Sequence, residues 1–343
     1  MTDAEIIEQA LPRIADWYAL SRRVLPWREE PTPYRVWISE IMLQQTRIEA
    51  VIPYYGRFLN EIPDVNALAQ VPDDRLMKLW EGLGYYSRAR NLKRAAQMIR
   101  EEYGGVMPRT AAELKKLPGI GDYTAGSIAS IAYGQPEPAV DGNVMRVMSR
   151  LFADSGDIMD QKNRKAVTEN LRSVYPEGDG AALLTEGLME LGERICIPNG
   201  QPLCEECPAA ELCRAHAQGQ ETQYPVRSAK KERRYEEKTV LLLCCEGKYA
   251  LQKRPEKGLL AGLWSFPMAD GHLTGQDAAD LFHAAAAESL GNAKHIFTHV
   301  EWLMIGYRIE CKALIPEYVW VTPAEIESTY SIPTAFKHFK NKL

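Results

Sequence analysis

The sequence predicts two domains of different class, an all-α domain followed by an α+β domain. Three observations carry this. At 343 residues the chain exceeds the size of one ordinary core. From residue 1 to about 213, apolar residues recur at helical spacing and no strand-like alternation interrupts them. Beyond about residue 236 the period changes to runs of β-branched and aromatic residues bounded by turns. The stretch 214–236 between them is polar and basic, and reads as a linker.

The elements follow in order. "TPYRVWISEIMLQQTRIEAVIPYYGRFL" (32–59) sets Trp37, Ile41, Ile48 and Ile52 on one helical stripe, entered at Thr32-Pro33. "DDRLMKLWEGLGYYSRARNLKRAAQMIREEYGG" is two helical patterns around Gly82 and Gly84, stopped by Gly104-Gly105. "TAAELKKLPGIGDYTAGSIASIAYG" (110–134) is a helix, a Pro-Gly-x-Gly turn and a second helix rich in small residues. In "PAVDGNVMRVMSRLF" (138–152), Val144, Val147, Met148 and Leu151 recur at helical spacing, so Asp141 stands where a helix starts. In the second domain, "KTVLLLCCEGKYALQKR" is two strands around a Glu-Gly turn. "HIFTHVEWLMIGYRIECKAL" and "EYVWVTP" add further strands. "DAADLFHAAAAESLG" (277–291) reads as a helix, and Thr322 caps another.

Composition narrows the class. An apolar fraction of 45% with 25% charged residues describes a soluble globular protein. No apolar run approaches the roughly 20 residues of a membrane helix. The first twenty residues are acidic and amphipathic, unlike a basic leader. The net charge of -5 does not advertise a nucleic-acid binder, but local basic stretches exist at 87–100 and 227–234. Each alone reads as a solvated face or linker.

Three features carry chemistry. Of seven cysteines, Cys196, Cys204, Cys207 and Cys213 form Cys-x7-Cys-x2-Cys-x5-Cys, a metal-binding pattern in a reducing, cytoplasmic setting. Four thiolates so close enclose either an iron–sulfur cluster or a zinc, and the long first gap leans towards iron–sulfur. Cys244, Cys245 and Cys311 lie in strand-like runs and read as buried and inert. "LPGIG" (117–121) is a turn in which Gly119 and Gly121 allow a positive φ and leave N–H groups uncovered at a helix start. That suits either a phosphate or a plain hairpin turn. Glu40, within the apolar "VWISEIML", should be buried, its pKa raised and its proton kept near neutrality. Asp141 should be held ionised by backbone donors and the helix dipole. Taken alone, Glu40 reads more readily as a polar-face residue and Asp141 as a cap.

At this point the motifs resemble a known family. "LPGIGDYTAGSIAS" resembles the helix-hairpin-helix of the endonuclease III superfamily of DNA glycosylases, here about 110–133. "PAVDGNVMRV" is similar to its aspartate segment, and the four cysteines follow in its order within 196–213. "PWR", "PYRVWISEIMLQQT" and "GLGYYSRARNL" resemble MutY-type adenine DNA glycosylases. "KGLLAGLWSFP" and "HIFTHVEW" resemble that family's Nudix-like recognition domain. Two departures stand out: the first cysteine gap is seven residues where the family has six, and Thr298 replaces a serine.

The resemblance implies a multidomain protein: a helical catalytic domain at 1–213, a linker at 214–236, and a Nudix-like 8-oxoguanine recognition domain at 237–343. It implies a monofunctional glycosylase that excises adenine mispaired with 8-oxoguanine or guanine, by base flipping, in base excision repair. Glu40 would protonate adenine N7 and later help water attack. Asp141 would stabilise the cationic sugar and Asn143 would orient it. Tyr123 stands where bifunctional relatives carry a Schiff-base lysine. Trp27, Arg28, Leu43 and Glu186 fall on adenine-pocket positions. Gln45 and Tyr85 fall on intercalating positions, with Leu83 also at the DNA and Gly119 and Gly121 at its phosphates. Phe297, Thr298 and His299 would contact 8-oxoguanine, and the four cysteines would hold a [4Fe-4S] cluster. The partner is double-stranded DNA, the chain a monomer, and the place the bacterial cytoplasm at the nucleoid. Nudix hydrolysis is not expected, because the helix over 277–291 offers Glu288 as its only glutamate. The rivals are an endonuclease III-type glycosylase/lyase and a non-catalytic iron–sulfur DNA-binding protein.

Overall fold

The computed structural model describes residues 1–228 and 232–343. Residues 229–231, in the middle of the expected linker and of the basic stretch 227–234, lie outside the described residues. The chain forms two compact units, Met1–Gln70 with Asn91–Ala229, and Val71–Arg90 with Lys230–Leu343. Among the described residues every strand begins at or after Arg234, so helices alone build the first unit. No described helix is long and apolar enough to cross a membrane.

In the first unit, three helices share one core. Ile7, Leu11 and Ile14 of Asp3–Ser21 meet Val144, Met148 and Leu151 of Gly142–Phe152 and Leu184, Leu188 and Leu191 of Asp179–Arg194. Each set recurs every three or four residues, which stacks it on one helical face. Asp141 caps the second of these helices, its Oδ1 accepting the Val144 N–H at 2.8 Å. Gly192 lets two of the helices close: a Cβ there would stand 2.7 Å from that of Asn143.

The stripe expected across 32–59 is broken. One helix runs Pro33–Leu43 and a second Ile48–Glu61, with Gln45 between them in the left-handed region at φ 59°. The polar "QQTR" offers no apolar residue to carry a stripe across. The second helix therefore turns its own face inward, Val51, Tyr55 and Phe58, and leaves Ile52 exposed. In the hairpin, the first helix is a single turn, Ala111–Leu114, followed by Asp122–Tyr133. Only Gly119 needs its freedom, at φ 80°; Gly121 has φ -97° and serves as an uncapped N-cap, correcting the expectation of two positive-φ glycines.

The second unit is a mixed sheet. Its strands are β1 Arg234–Cys245, β2 Lys248–Lys253, β3 Trp264–Ser265, β4 Met268–Asp270, β5 Glu288–Ile296, β6 Val300–Glu310 and β7 Val319–Val321. The order is β3-β2-β1-β6-β5, with β4 pairing β1 and β7 pairing β2. β1 and β6 run parallel from Arg234 opposite Val300 to Cys244 opposite Glu310. Both faces of β1 are covered: Val240 and Leu242 pack with Trp302 and Phe336, while Leu241 and Leu243 pack with Ile309 and Ala278. That is why the strand reads as one unbroken apolar run.

The helix expected over 277–291 is mostly absent. It spans Gly275–Asp280, and Glu288 already belongs to β5. Pairing of Ser289–Ile296 with β6, through an irregularity at Gly291 (φ 83°), overrides the helix preference of the alanine run. Phe297, Thr298 and His299 form the reversal between β5 and β6, closed by the Phe297 N–H on the Val300 carbonyl at 2.8 Å.

Candidate active site and cysteine loop

A cavity of about 710 Å³ opens in the first unit. Glu40, Asp141, Asn143 and Tyr123 line it, together with Trp27, Arg28, Leu43, Gln45 and Glu186. Nine residues scattered from 27 to 186 thus converge on one space.

Glu40 sits in the middle of the helix Pro33–Leu43, whose surroundings are almost all buried, and is itself 6% exposed. Its Oε2 has no hydrogen-bond partner among the described residues. Burial pushes the carboxyl up to about 7, and the nearby Asp141 and Glu186 charges add to this. The Tyr123 and Ser127 hydroxyls pull it back only in part. The Tyr123 hydroxyl also faces the Met189 sulfur, at 3.6 Å.

Asp141 is held by donors on both oxygens. Oδ1 takes the Val144 N–H, and Oδ2 takes the Asn143 amide at 2.9 Å. Arg146 fixes that amide by donating to Asn143 Oδ1 at 2.8 Å, to the Gly192 carbonyl, and to the Cys196 carbonyl at 2.8 Å. One influence on Asp141 works against these donors. Burial outweighs these donors and the Arg146 charge, and pushes the carboxyl above its ordinary range. The cap geometry is present, but burial of the carboxyl penalises its charge.

The far wall is a charge network that sequence reasoning missed. Arg28 Nε stands 3.4 Å from Glu186 Oε1, and the Tyr18 hydroxyl donates to Glu186 Oε2 at 2.9 Å. Burial raises Glu186 against these two neighbours. Behind it lies Glu190, whose side chain is fully buried. Arg23 donates to both its oxygens, at 2.6 and 3.0 Å, and Arg28 adds a bond at 2.9 Å. Burial alone would raise Glu190, but these guanidiniums hold it below the ordinary carboxylate range. Its spacing of four from Glu186 put both on one helical face, a signal shared by any exposed pair.

Two other groups of expected residues lie elsewhere. Gly119 and Gly121 form the hairpin turn, away from this cavity. Leu83, Tyr85, Phe297, Thr298 and His299 line a cavity of about 840 Å³ in the second unit. There the Tyr85 and Thr298 hydroxyl oxygens are 3.4 Å apart, and Phe297 packs edge-on against Trp302 with centroids at 4.8 Å. The Arg254 guanidinium stacks over Trp302 at 5.3 Å. Arg90, Arg234 and Lys238 make the same wall basic. The helix Gly275–Asp280 holds no glutamate, and its Asp277 is used in a capping box.

The four cysteines are free thiols and lie between the end of Asp179–Arg194 and the short helix Arg214–Ala217. Every pair of their sulfurs interacts electrostatically. Burial pushes Cys204 up to about 12 and Cys207 up to about 11, so these groups become thiolates only around added positive charge. Donors already face them: Arg150 donates to Cys196 Sγ at 3.2 Å, the Ala209 N–H faces Cys207, and the Ala215 and His216 N–H groups face Cys213. Among the described residues, no three of these sulfurs come within 4.8 Å of one another. A single tetrahedral zinc, with Zn–S near 2.3 Å, would need sulfurs about 3.8 Å apart. The donor set therefore fits a larger, thiolate-bound group better than one ion.

Comparisons with known proteins follow this layout. A family described as HhH-GPD superfamily base excision DNA repair protein matches residues 38–177, and a NUDIX domain matches residues 239–342. The helical unit is therefore that of a base-excision repair protein. A thermostable thymine-DNA glycosylase superposes with a TM-score of 0.56 at 29% identity, covering 62% of this chain and 98% of that one. A trapped endonuclease III–DNA covalent intermediate gives a TM-score of 0.54 at 26% identity, over 64% of this chain and 99% of that one. The adenine DNA glycosylase of Homo sapiens is 32% identical over 94% of this chain and 72% of its own length. That of Buchnera aphidicola (strain APS) is 35% identical over 74% of this chain and 72% of its own length. The Arabidopsis thaliana protein of the same name is 36% identical over 84% of this chain, which spans 55% of that longer protein. The chain belongs to the adenine DNA glycosylase family.

Proposed function

We propose that the chain is a monofunctional glycosylase that removes adenine paired with 8-oxoguanine or guanine in duplex DNA, after flipping the adenine into the cavity of the helical unit. The observation that carries this is Glu40: a buried carboxyl, raised to about 7, with Oε2 unpartnered in the cavity that Asp141 also faces. A protonated Glu40 has an O–H to give to N7 of the departing base. Loss of the base leaves a cationic sugar. A positive charge beside Asp141 draws its raised pKa back down, so Asp141 stabilises the transition state more than the empty site. Asn143, fixed by Arg146, orients that carboxylate. Glu186, Arg28 and Trp27 would bind the adenine edge and face, and Leu43 would pack on it.

Tyr123 supports the monofunctional reading, since a phenol forms no Schiff base, and no lysine lines this cavity among the described residues. Gln45 and Tyr85, both in left-handed backbone conformation and both on exposed bends, would fill the gap left by the flipped base. Leu83 would support them, and Gly119 and Gly121 would offer N–H groups to phosphate. Phe297, Thr298 and His299 would read 8-oxoguanine. Cys196, Cys204, Cys207 and Cys213 would hold a [4Fe-4S] cluster, which supplies a crosslink between the ends of two helices. On this reading, 1–213 is catalytic and 237–343 is the reader, joined by 214–236. The chain works as a monomer on the nucleoid of a bacterial cytoplasm.

The test is a duplex with one 8-oxoguanine:adenine pair, assayed with and without alkali. Adenine is expected free in solution, with strand breaks only after alkali and no covalent complex on borohydride reduction. Strand cleavage without alkali, together with trapping, would favour the lyase rival instead.

A further inference from the structure

Beside the cysteine loop lies a second set of metal-binding atoms. His216, in Arg214–Ala217, is 2.6 Å through Nδ1 from Glu221 Oε1, and the Cys204 sulfur is 3.8 Å from that same oxygen. One ligand atom from each of the three lies within 4.8 Å of the others. Glu221 is 7% exposed, so this carboxylate is not a chance surface neighbour.

Thiolate, imidazole and carboxylate all bind iron and zinc. A histidine that ligates a metal usually gives its other ring N–H to a carboxylate, which fixes its tautomer. The Nδ1–Glu221 contact holds the His216 ring against Glu221 Oε1, the same oxygen that stands 3.8 Å from the Cys204 sulfur. Imidazole also replaces thiolate on iron in some iron–sulfur centres.

We infer that His216, oriented by Glu221, is a reserve ligand for the iron at the Cys204 corner, able to hold the cluster when the Cys204 thiolate does not. This rests on the reading that the four cysteines bind a [4Fe-4S] cluster.

The experiment measures iron and acid-labile sulfide in the full chain purified without oxygen, for the parent, Cys204→Ala, His216→Ala and the double variant. An iron-free parent would remove the cluster reading itself. With a loaded parent, His216→Ala keeps its iron and Cys204→Ala keeps at least about half, whereas the double variant falls roughly tenfold below Cys204→Ala. Equal iron in Cys204→Ala and the double variant, high or low, overturns the inference. Cys204→Ser, which keeps a weak donor in the loop, covers the case in which the alanine variant fails to fold. Its reduced cluster should show nitrogen coupling in pulsed electron paramagnetic resonance, abolished by adding His216→Ala. A cluster without nitrogen coupling overturns the inference.

Discussion

Asn143 donates its side-chain amide to the free oxygen of Asp141 at 2.9 Å, while Asp141 caps the helix that carries Asn143. The same carboxylate thus starts a helix and is aimed by that helix's first turn. The two roles separate by substitution. Asp141→Asn keeps an N-cap of similar quality but removes the charge. Adenine release should fall at least about a thousandfold, while Tm stays within a few degrees of the parent. Unchanged release would make Asp141 a cap alone.

Gly192 sets the position of Asn143 from the neighbouring helix. An alanine there would bring a Cβ to 2.7 Å from that of Asn143, and backbone on both sides limits how far either can yield. Gly192→Ala should destabilise the chain by about 1–3 kcal/mol. It should also slow release by more than the lost stability explains, because Asn143 is pushed off Asp141. Denaturant unfolding and single-turnover release, measured on the same sample, separate the two effects.

Glu40 gives a stability signature. Its carboxyl is raised from an ordinary 4.5 to about 7, so the folded state binds a proton that the unfolded state releases between those values. Stability from this group is fully present below about pH 4.5 and lost as pH rises to about 7, by up to about 3 kcal/mol. Glu40→Gln should remove that loss. The variant should match the parent at pH 4 and exceed it at pH 8. Parallel stability curves across this range would show that Glu40 is not raised.

The Glu190 carboxylate holds Arg23 and Arg28 in the wall behind Glu186. Glu190→Gln leaves the guanidiniums of Arg23, Arg28 and Arg194 facing a neutral amide, at a cost of about 3 kcal/mol. Glu186→Gln keeps that anchor and should cost far less stability, while weakening adenine binding. Equal losses of Tm would place the two glutamates in one structural role.

In the second unit, Phe297 packs on Trp302 beneath the β5–β6 reversal. Phe297→Ala should lower release from 8-oxoguanine:adenine duplexes more than from guanine:adenine duplexes, bringing the two rates together. A uniform loss on both would make Phe297 a packing residue only.

The burial of Glu40 and the capping position of Asp141 were legible in short motifs, and their site roles came from the resemblance those motifs carry. Glu40 stands in an apolar helix, and Asp141 at a helix start. Other features depended on partners far along the chain. The burial cost at Asp141 comes from surrounding segments, so its donors could be foreseen but not the sign of its shift. The strand Glu288–Ile296 was hidden by an alanine run whose helix preference is real but loses to pairing with β6. The break at Gln45 came from four polar residues that end one apolar face and start another. Glu190 was invisible because its meaning lies in Arg23, 167 residues away.

The central claim is that a protonated, buried Glu40 drives base loss beside Asp141. Single-turnover adenine release from an 8-oxoguanine:adenine duplex, followed from pH 5 to 9 for the parent and Glu40→Gln, tests it most directly. The parent rate should fall as pH rises through about 7, and Glu40→Gln should release no adenine at any pH. A folded Glu40→Gln protein that releases adenine at the parent rate would contradict the account.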